Sequence, residues 1–174
     1  MKKLFKFAPL CALLLAIVAF ILMFATKSVT YSNGNLKGWY DGSCALFGKG
    51  QSLAAWGGIS VAAEFEGKAA WSAVLAFIFI IVALVALLVS AISVFVKIKA
   101  LEKFGGIIAL VAGGLLLVAG IFLFVTLPAF ASANEWSSTD NYALGAGWVV
   151  AAILAIVAGV VSAFPAVAAL VEKK

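Results

Sequence analysis

The side chains able to do chemistry in this chain are few and scattered. Cys11 and Cys44 are the only thiols. The acids are Asp41, Glu64, Glu66, Glu102, Glu135, Asp140 and Glu172, and the 12 basic residues are all lysine, with neither histidine nor arginine. Asp41 and Cys44 come nearest to pairing a nucleophile with a base, but a cysteine nucleophile needs an activator, most often imidazole, to become a thiolate. The pair therefore reads as a turn followed by a free thiol. No CxxC or histidine-containing spacing marks a metal site, and arginine, the bidentate clamp for carboxylate and phosphate, is missing. Cys11 lies in an apolar run and Cys44 in a polar loop, so no internal disulfide is expected. These residues predict a protein that is not an enzyme and holds no cofactor or metal.

The elements that carry them belong to a membrane. Of 174 residues, 66% are apolar and 11% charged, with a mean hydropathy of +1.23. A soluble domain is about half apolar and about a quarter charged, and disorder needs low hydrophobicity; both are excluded. A spanning helix takes about 20 apolar residues, and four such stretches occur, at about 7–26, 69–96, 105–127 and 143–169. None has an Asp, Glu or Lys in its interior. The first follows Lys2, Lys3 and Lys6 and could be a signal peptide. Its length and the want of a clean A-x-A site after Phe24 favour a retained span.

Lysine placement sets orientation. The N-terminus, the loop 97–104 and the C-terminal tail hold eight lysines and two acids, whereas loops 27–68 and 128–142 hold four lysines and five acids. Both termini are thus expected in the cytoplasm of a multi-pass cell-membrane protein, and the net charge of +5 is read as topology, not nucleic-acid binding. All five tryptophans and all three tyrosines fall in or beside the two outer loops. Trp71, Trp148 and Tyr142 suit an interfacial belt. Trp39, Tyr40, Trp56 and Trp136 either fill a small outer core or form a partner-binding surface, since exposed Trp and Tyr favour interfaces.

In the large loop, β-branched and aromatic residues flank Asn33-Gly34, a hairpin signal. A turn there would set Tyr31 opposite Leu36 and Thr30 opposite Lys37. Asp41–Gly58 reads as irregular, and Ile59–Lys68 as an early start of the second helix with Glu64 and Lys68 paired at i,i+4. An isolated hairpin is marginal in water, so a third strand or a helix beneath it is needed; Ala129–Asn141 could supply one.

Four spans, cytoplasmic termini and a β-forming first outer loop resemble the claudin and peripheral myelin protein superfamily, whose loop carries a W…G-L-W-x-x-C…C pattern. Here Gly38-Trp39-Tyr40-Asp41-Gly42-Ser43-Cys44 matches in part, with Tyr31 at best in place of the first tryptophan. The second cysteine and the arginine before the second span are missing, so the family's loop disulfide cannot form. The resemblance implies an outer β-sheet on a left-handed four-helix bundle, and lateral association. It carries no junction or paracellular-pore function across.

Lipid gives helices no hydrophobic drive to associate, so small residues mark packing faces. The fourth span has Gly147, Ala151, Ala155, Gly159 and Ala163 at i+4 spacing; the third has Gly106, Gly113 and Gly120 every seven residues; the second has Ala76, Ala83 and Ser90. Pro128 should end the third span, and Asp140 should cap the fourth. The expected architecture is an all-α four-helix membrane bundle with a small extracellular β cap. Besides the lipid bilayer, its expected partners are other membrane-protein subunits or further copies of itself. Its expected role is that of an accessory or scaffold subunit or a self-associating protein. A small transporter or channel component is the alternative, disfavoured because ion paths are marked by intramembrane ionisable groups.

Overall fold

The computed structural model describes residues 7–96 and 99–171. Helix α1 (Ala8–Ala25) runs through Thr26 into strands β1 (Lys27–Asn33) and β2 (Leu36–Asp41). Helix α2 (Gly42–Phe47), β3 (Lys49–Trp56) and β4 (Ile59–Glu66) follow. The rest comprises α3 (Trp71–Phe95), α4 (Lys99–Phe124), α5 (Thr126–Ala133), β5 (Tyr142–Leu144) and α6 (Ala146–Val171). Four helices hold segments long and apolar enough to cross a membrane: Ala8–Ala25, Trp71–Ile92, Phe104–Phe124 and Ala146–Phe164. Lysines 2, 3 and 6, Lys97 and the C-terminal tail, which carry much of the orientation argument, lie outside the described residues.

The long helices pack in a ring: α1 against α3 and α6, and α4 against the same two. Their inner faces are mostly alanine, with Ala16, Ala76, Ala83, Ala119, Ala151 and Ala155 fully buried, and Met23, Ile80, Leu87 and Leu116 fill the space between. Large apolar side chains such as Leu14, Ile21, Val85, Ile121 and Ile153 point outward and stay exposed. Small residues let backbones approach, and α4 and α6 come close at facing glycines. A Cβ at Gly113 would stand 2.7 Å from the carbonyl oxygen of Gly159, and one at Gly159 would stand 2.8 Å from that of Gly113. Gly120 is similarly close to Ala152 (2.9 Å) and touches Ile156. Gly147 sits instead on the side chain of Thr26, at the end of α1. Gly106 meets nothing within 4 Å, so the seven-residue glycine stripe of α4 is not one continuous contact.

Helix α4 stops at Phe124 and α5 restarts at Thr126. Pro128 explains the break: it has no N–H for the carbonyl of Phe124, and its ring crowds that residue. It therefore lies inside the second helix instead of terminating the first, and α5 carries the rod onward beneath the sheet. Asp140 does not cap a helix either. Its N–H bonds Ser138 Oγ at 2.9 Å in the turn before β5, and α6 begins only at Ala146.

The sheet sits at the end of the ring where α1 finishes and α3 and α6 start. It is antiparallel, in the order β4-β3-β2-β1-β5. The first hairpin turns at Gly34-Asn35, pairing Asn33 with Leu36 and Tyr31 with Gly38. That differs from the expected register by two residues, which leaves every side chain on the same face. A bulge after Lys27 is bridged by Ser28, whose hydroxyl donates to the carbonyls of Asp41 (2.7 Å) and Tyr40 (3.1 Å). The larger correction concerns 41–68. The stretch expected to be irregular forms α2 and β3, and the expected helical start is strand β4. Gly57 and Gly58, with φ of 57° and 87°, make the two left-handed positions of a type I′ turn that pairs Trp56 with Ile59. Lys68 consequently has no helical partner in Glu64; it pairs with Glu135 at 3.2 Å on the surface, where such a bridge adds little.

Because the carbonyl of Gly159 cannot retreat without unwinding α6, Gly113→Ala is expected to destabilise the helix ring by about 1–3 kcal/mol. Gly114→Ala, next in the chain but facing open space, should be neutral or slightly stabilising. Denaturant unfolding of the two variants in one detergent checks the contrast.

Candidate functional site

Antiparallel register divides the sheet into two faces. Directly opposed residues share a face, so Tyr31, Leu36, Gly38, Tyr40, Ala54, Trp56, Ile59, Val61 and Phe65 lie on one. This apolar face is covered at its base only. There Phe130 of α5, fully buried, meets Tyr40 at 5.6 Å and Phe65 at 5.5 Å between ring centroids. Trp136 packs edge-on to Phe130 at 5.3 Å, and lies 5.6 Å from Tyr40 and 4.4 Å from Tyr142. Tyr31 completes the cluster 4.7 Å from Tyr142. Edge and tilted contacts of this kind add to the stabilisation from buried area.

Asn134 fastens α5 to the loop that follows β4. Its amide accepts the N–H of Lys68 (2.8 Å), donates to the carbonyl of Lys68 (3.0 Å) and donates to that of Phe130 (2.9 Å). Helix α2 closes the base from the other side. Ala45 accepts the N–H of Ala70 at 2.8 Å, and Gly48, at φ 69°, ends α2 and accepts the N–H of Gly67.

The four residues expected to bind a partner are split by this arrangement. Tyr40 and Trp136 belong to the aromatic cluster under the sheet. Trp39 lies on the opposite face, where Lys27 Nζ sits 4.9 Å from its ring centroid. Trp56 stands at the hairpin tip, 70% exposed. Around it lie residues the sequence reading missed: Leu36 directly opposite, Ile59 across the turn at 71% exposure and Val61 at 61%. The Gly57-Gly58 pair between Trp56 and Ile59 was the available signal, since two glycines between β-prone runs mark a two-residue hairpin. Above the aromatic cluster this face forms an open trough of about 360 Å³, floored by Gly38, Ala54 and Ala63 and walled by Tyr31, Tyr40, Tyr142 and Val61. Two belt assignments also change. Trp148 is fully buried, and Tyr142 pairs with Tyr31 in the sheet. Only Trp71 stays exposed at a helix start, edge-on to Phe122 at 5.7 Å.

Cys44 is buried in α2 and donates to the carbonyl of Gln51 at 3.4 Å. Burial pushes its thiol up, against a smaller lowering by the backbone hydrogen bond at Asp41, which favours the protonated thiol, the poorer nucleophile. Cys11 is exposed on α1, and neither cysteine is bridged. Among the described residues no group of His, Cys, Asp and Glu is placed to hold a metal ion. No protein-family model and no curated protein matches the chain.

Truncating the ring that supports the sheet leaves a cavity beside three other rings, so Phe130→Ala should cost about 3–5 kcal/mol and melt the sheet ahead of the helices. Circular dichroism followed with denaturant would show a first transition rich in strand. Burial also raises the phenols of Tyr40 and Tyr142 above their ordinary value of 10.0. A group raised in the folded state holds its proton there longer, so this contribution is complete below about pH 10 and is lost as pH climbs past it. The expected result is an alkaline fall in melting temperature, smaller in Tyr40→Phe, with Tyr40 and Tyr142 ionising late in an ultraviolet titration.

Proposed function

We propose that this chain is a four-span protein of the cell membrane, with both termini cytoplasmic and its sheet on the outer side. It acts without catalysis, through protein–protein contact, as an accessory or scaffold subunit or by self-association. The observation that carries this reading is the row Leu36, Trp56, Ile59 and Val61. It is a contiguous apolar strip on a sheet held clear of the helices, three of its members more than half exposed. Monomeric soluble surfaces rarely leave such patches uncovered, and where they occur they mark interaction sites.

The rest of the molecule supports the same role. The four helices present apolar side chains outward, as lipid requires, and their shared interior is packed with alanine and leucine. The acids that might serve a reaction stand apart on the surface of the sheet and its loops. The likeness to claudins bears on this reading only through lateral association. A transporter or channel gains little support, because the buried hydroxyls of Ser90, Thr126 and Ser162 are each bonded to a backbone carbonyl, of Gly105, Phe122 and Gly159.

The deciding experiment is the native mass after gentle extraction from the source membrane, with co-purifying proteins identified. A defined complex is expected, and Trp56→Ser should shrink or dissolve it while leaving the melting of the four helices unchanged. Recovery as a monomer under conditions that keep other complexes intact would overturn the proposal. So would solute flux through liposomes holding the chain alone.

A further inference from the structure

The sheet has one unguarded edge. Its order ends at β4, which pairs with β3 alone. Natural sheets blunt such edges with charged side chains, above all lysine, or with proline, bulges, short strands or a covering segment; here Glu64 and Glu66 charge one end only. Strand β4 is 8 residues long, pairs with β3 in unbroken register, and contains neither lysine nor proline. Beyond the tip, Ser60 to Ala63 is uncharged and exposed.

The backbone groups on that edge can be assigned. A two-residue turn makes Trp56 and Ile59 a hydrogen-bonded pair, and antiparallel pairs alternate along the ladder. Ile59, Val61, Ala63 and Phe65 therefore bond inward to β3, and Ser60, Ala62, Glu64 and Glu66 turn their N–H and C=O groups to the open side. The side chains add a pattern to this row. Ile59 and Val61 extend the apolar face, while Glu64 and Glu66 lie on the opposite face. There Gln51 stands opposite Glu64 and Lys49 opposite Glu66. Neither acid forms an ion pair among the described residues.

We propose that the free edge of β4 is the docking site for an extended segment of a partner protein, added as a further strand, in which apolar residues alternate with lysine or arginine. The segment's backbone satisfies the open N–H and C=O groups, the source of affinity in strand addition. Its apolar side chains continue the strip of Trp56, Ile59 and Val61, and its basic residues fall beside Glu64 and Glu66. A second copy of β4 is the poorer occupant, because it would bring two more acids to that face and no base. This inference rests on the contact role proposed above and names the chemistry of the partner.

The test uses the full chain in lipid nanodiscs and a labelled peptide of β4's length, 8 residues, alternating valine and lysine. A valine–glutamate peptide and a shuffled valine–lysine peptide are the comparisons. The alternating basic peptide should bind, more weakly at high salt. Ala62→Pro removes one open-edge donor without touching the ladder to β3, a position where a strand tolerates proline, and should weaken binding about tenfold or more. Glu64→Lys with Glu66→Lys leaves the backbone unchanged and should transfer preference to the acidic peptide, which keeps the charge argument testable if Ala62→Pro misfolds. Equal binding of all three peptides, or binding indifferent to both variants, would overturn the proposal. A dimer of the wild-type chain that Ala62→Pro dissolves, with no peptide bound, would assign the edge to a second copy and overturn it as well. If the native complex survives Ala62→Pro but not Trp56→Ser, the edge inference falls and the contact role stands; peptide binding by a chain recovered only as a monomer has the reverse meaning.

Discussion

Phe130 is the ring on which the sheet rests. A sheet of short hairpins has too little apolar surface of its own to hold together in water, and here the body beneath it is a helix of about two turns carrying that buried phenylalanine. Tyr40 and Phe65 meet it from two different strands, Trp136 from the loop that follows, and Tyr142 and Tyr31 stack outward from Trp136. The position of α5 in turn depends on Pro128, which breaks the rod at Val125 and lets it restart under the strands. Asn134 then reproduces a strand-like pair of hydrogen bonds to Lys68, fastening the loop before α3 to the end of α5.

The helices obey a different constraint. Between apolar helices in lipid, association comes from close packing, so the interior is built of alanine and of two glycines, Gly113 and Gly159, that face each other's carbonyls. The base of the sheet is occupied by its own aromatic cluster, and its tip and outer edge are left without cover. The same face thus holds the sheet to its support at one end and stays exposed at the other.

Several of these features were legible in the residues. Four apolar runs of spanning length need no tertiary context to be seen, because lipid demands length and hydropathy of each helix singly. The Asn33-Gly34 signal announced a hairpin, missing its turn by one residue and its register by two. Strand β4 was signalled only by Gly57-Gly58, and its own residues point elsewhere. Ile59–Glu66 adjoins a long apolar helix and carries charges near its end, so it reads as that helix's first turns; only pairing with β3 across Gly57-Gly58 makes it a strand. Asp140 looked like a helix cap because nothing local reveals that Tyr142–Leu144 is claimed by β1, more than a hundred residues earlier in the chain.

The sequence by itself determined the class of this protein: four apolar helices and a polar loop with strand-forming patches. These are properties of composition and of short-range periodicity, which each segment carries alone. Only the tertiary structure decided which aromatic residues are structural and which are free. Trp136 and Trp56 are indistinguishable as letters in a polar loop, yet one is held against Phe130 and the other stands at a hairpin tip. That difference is set by which residues oppose which across strands and helices distant in sequence, and burial of a side chain is a property of those neighbours, not of the residue.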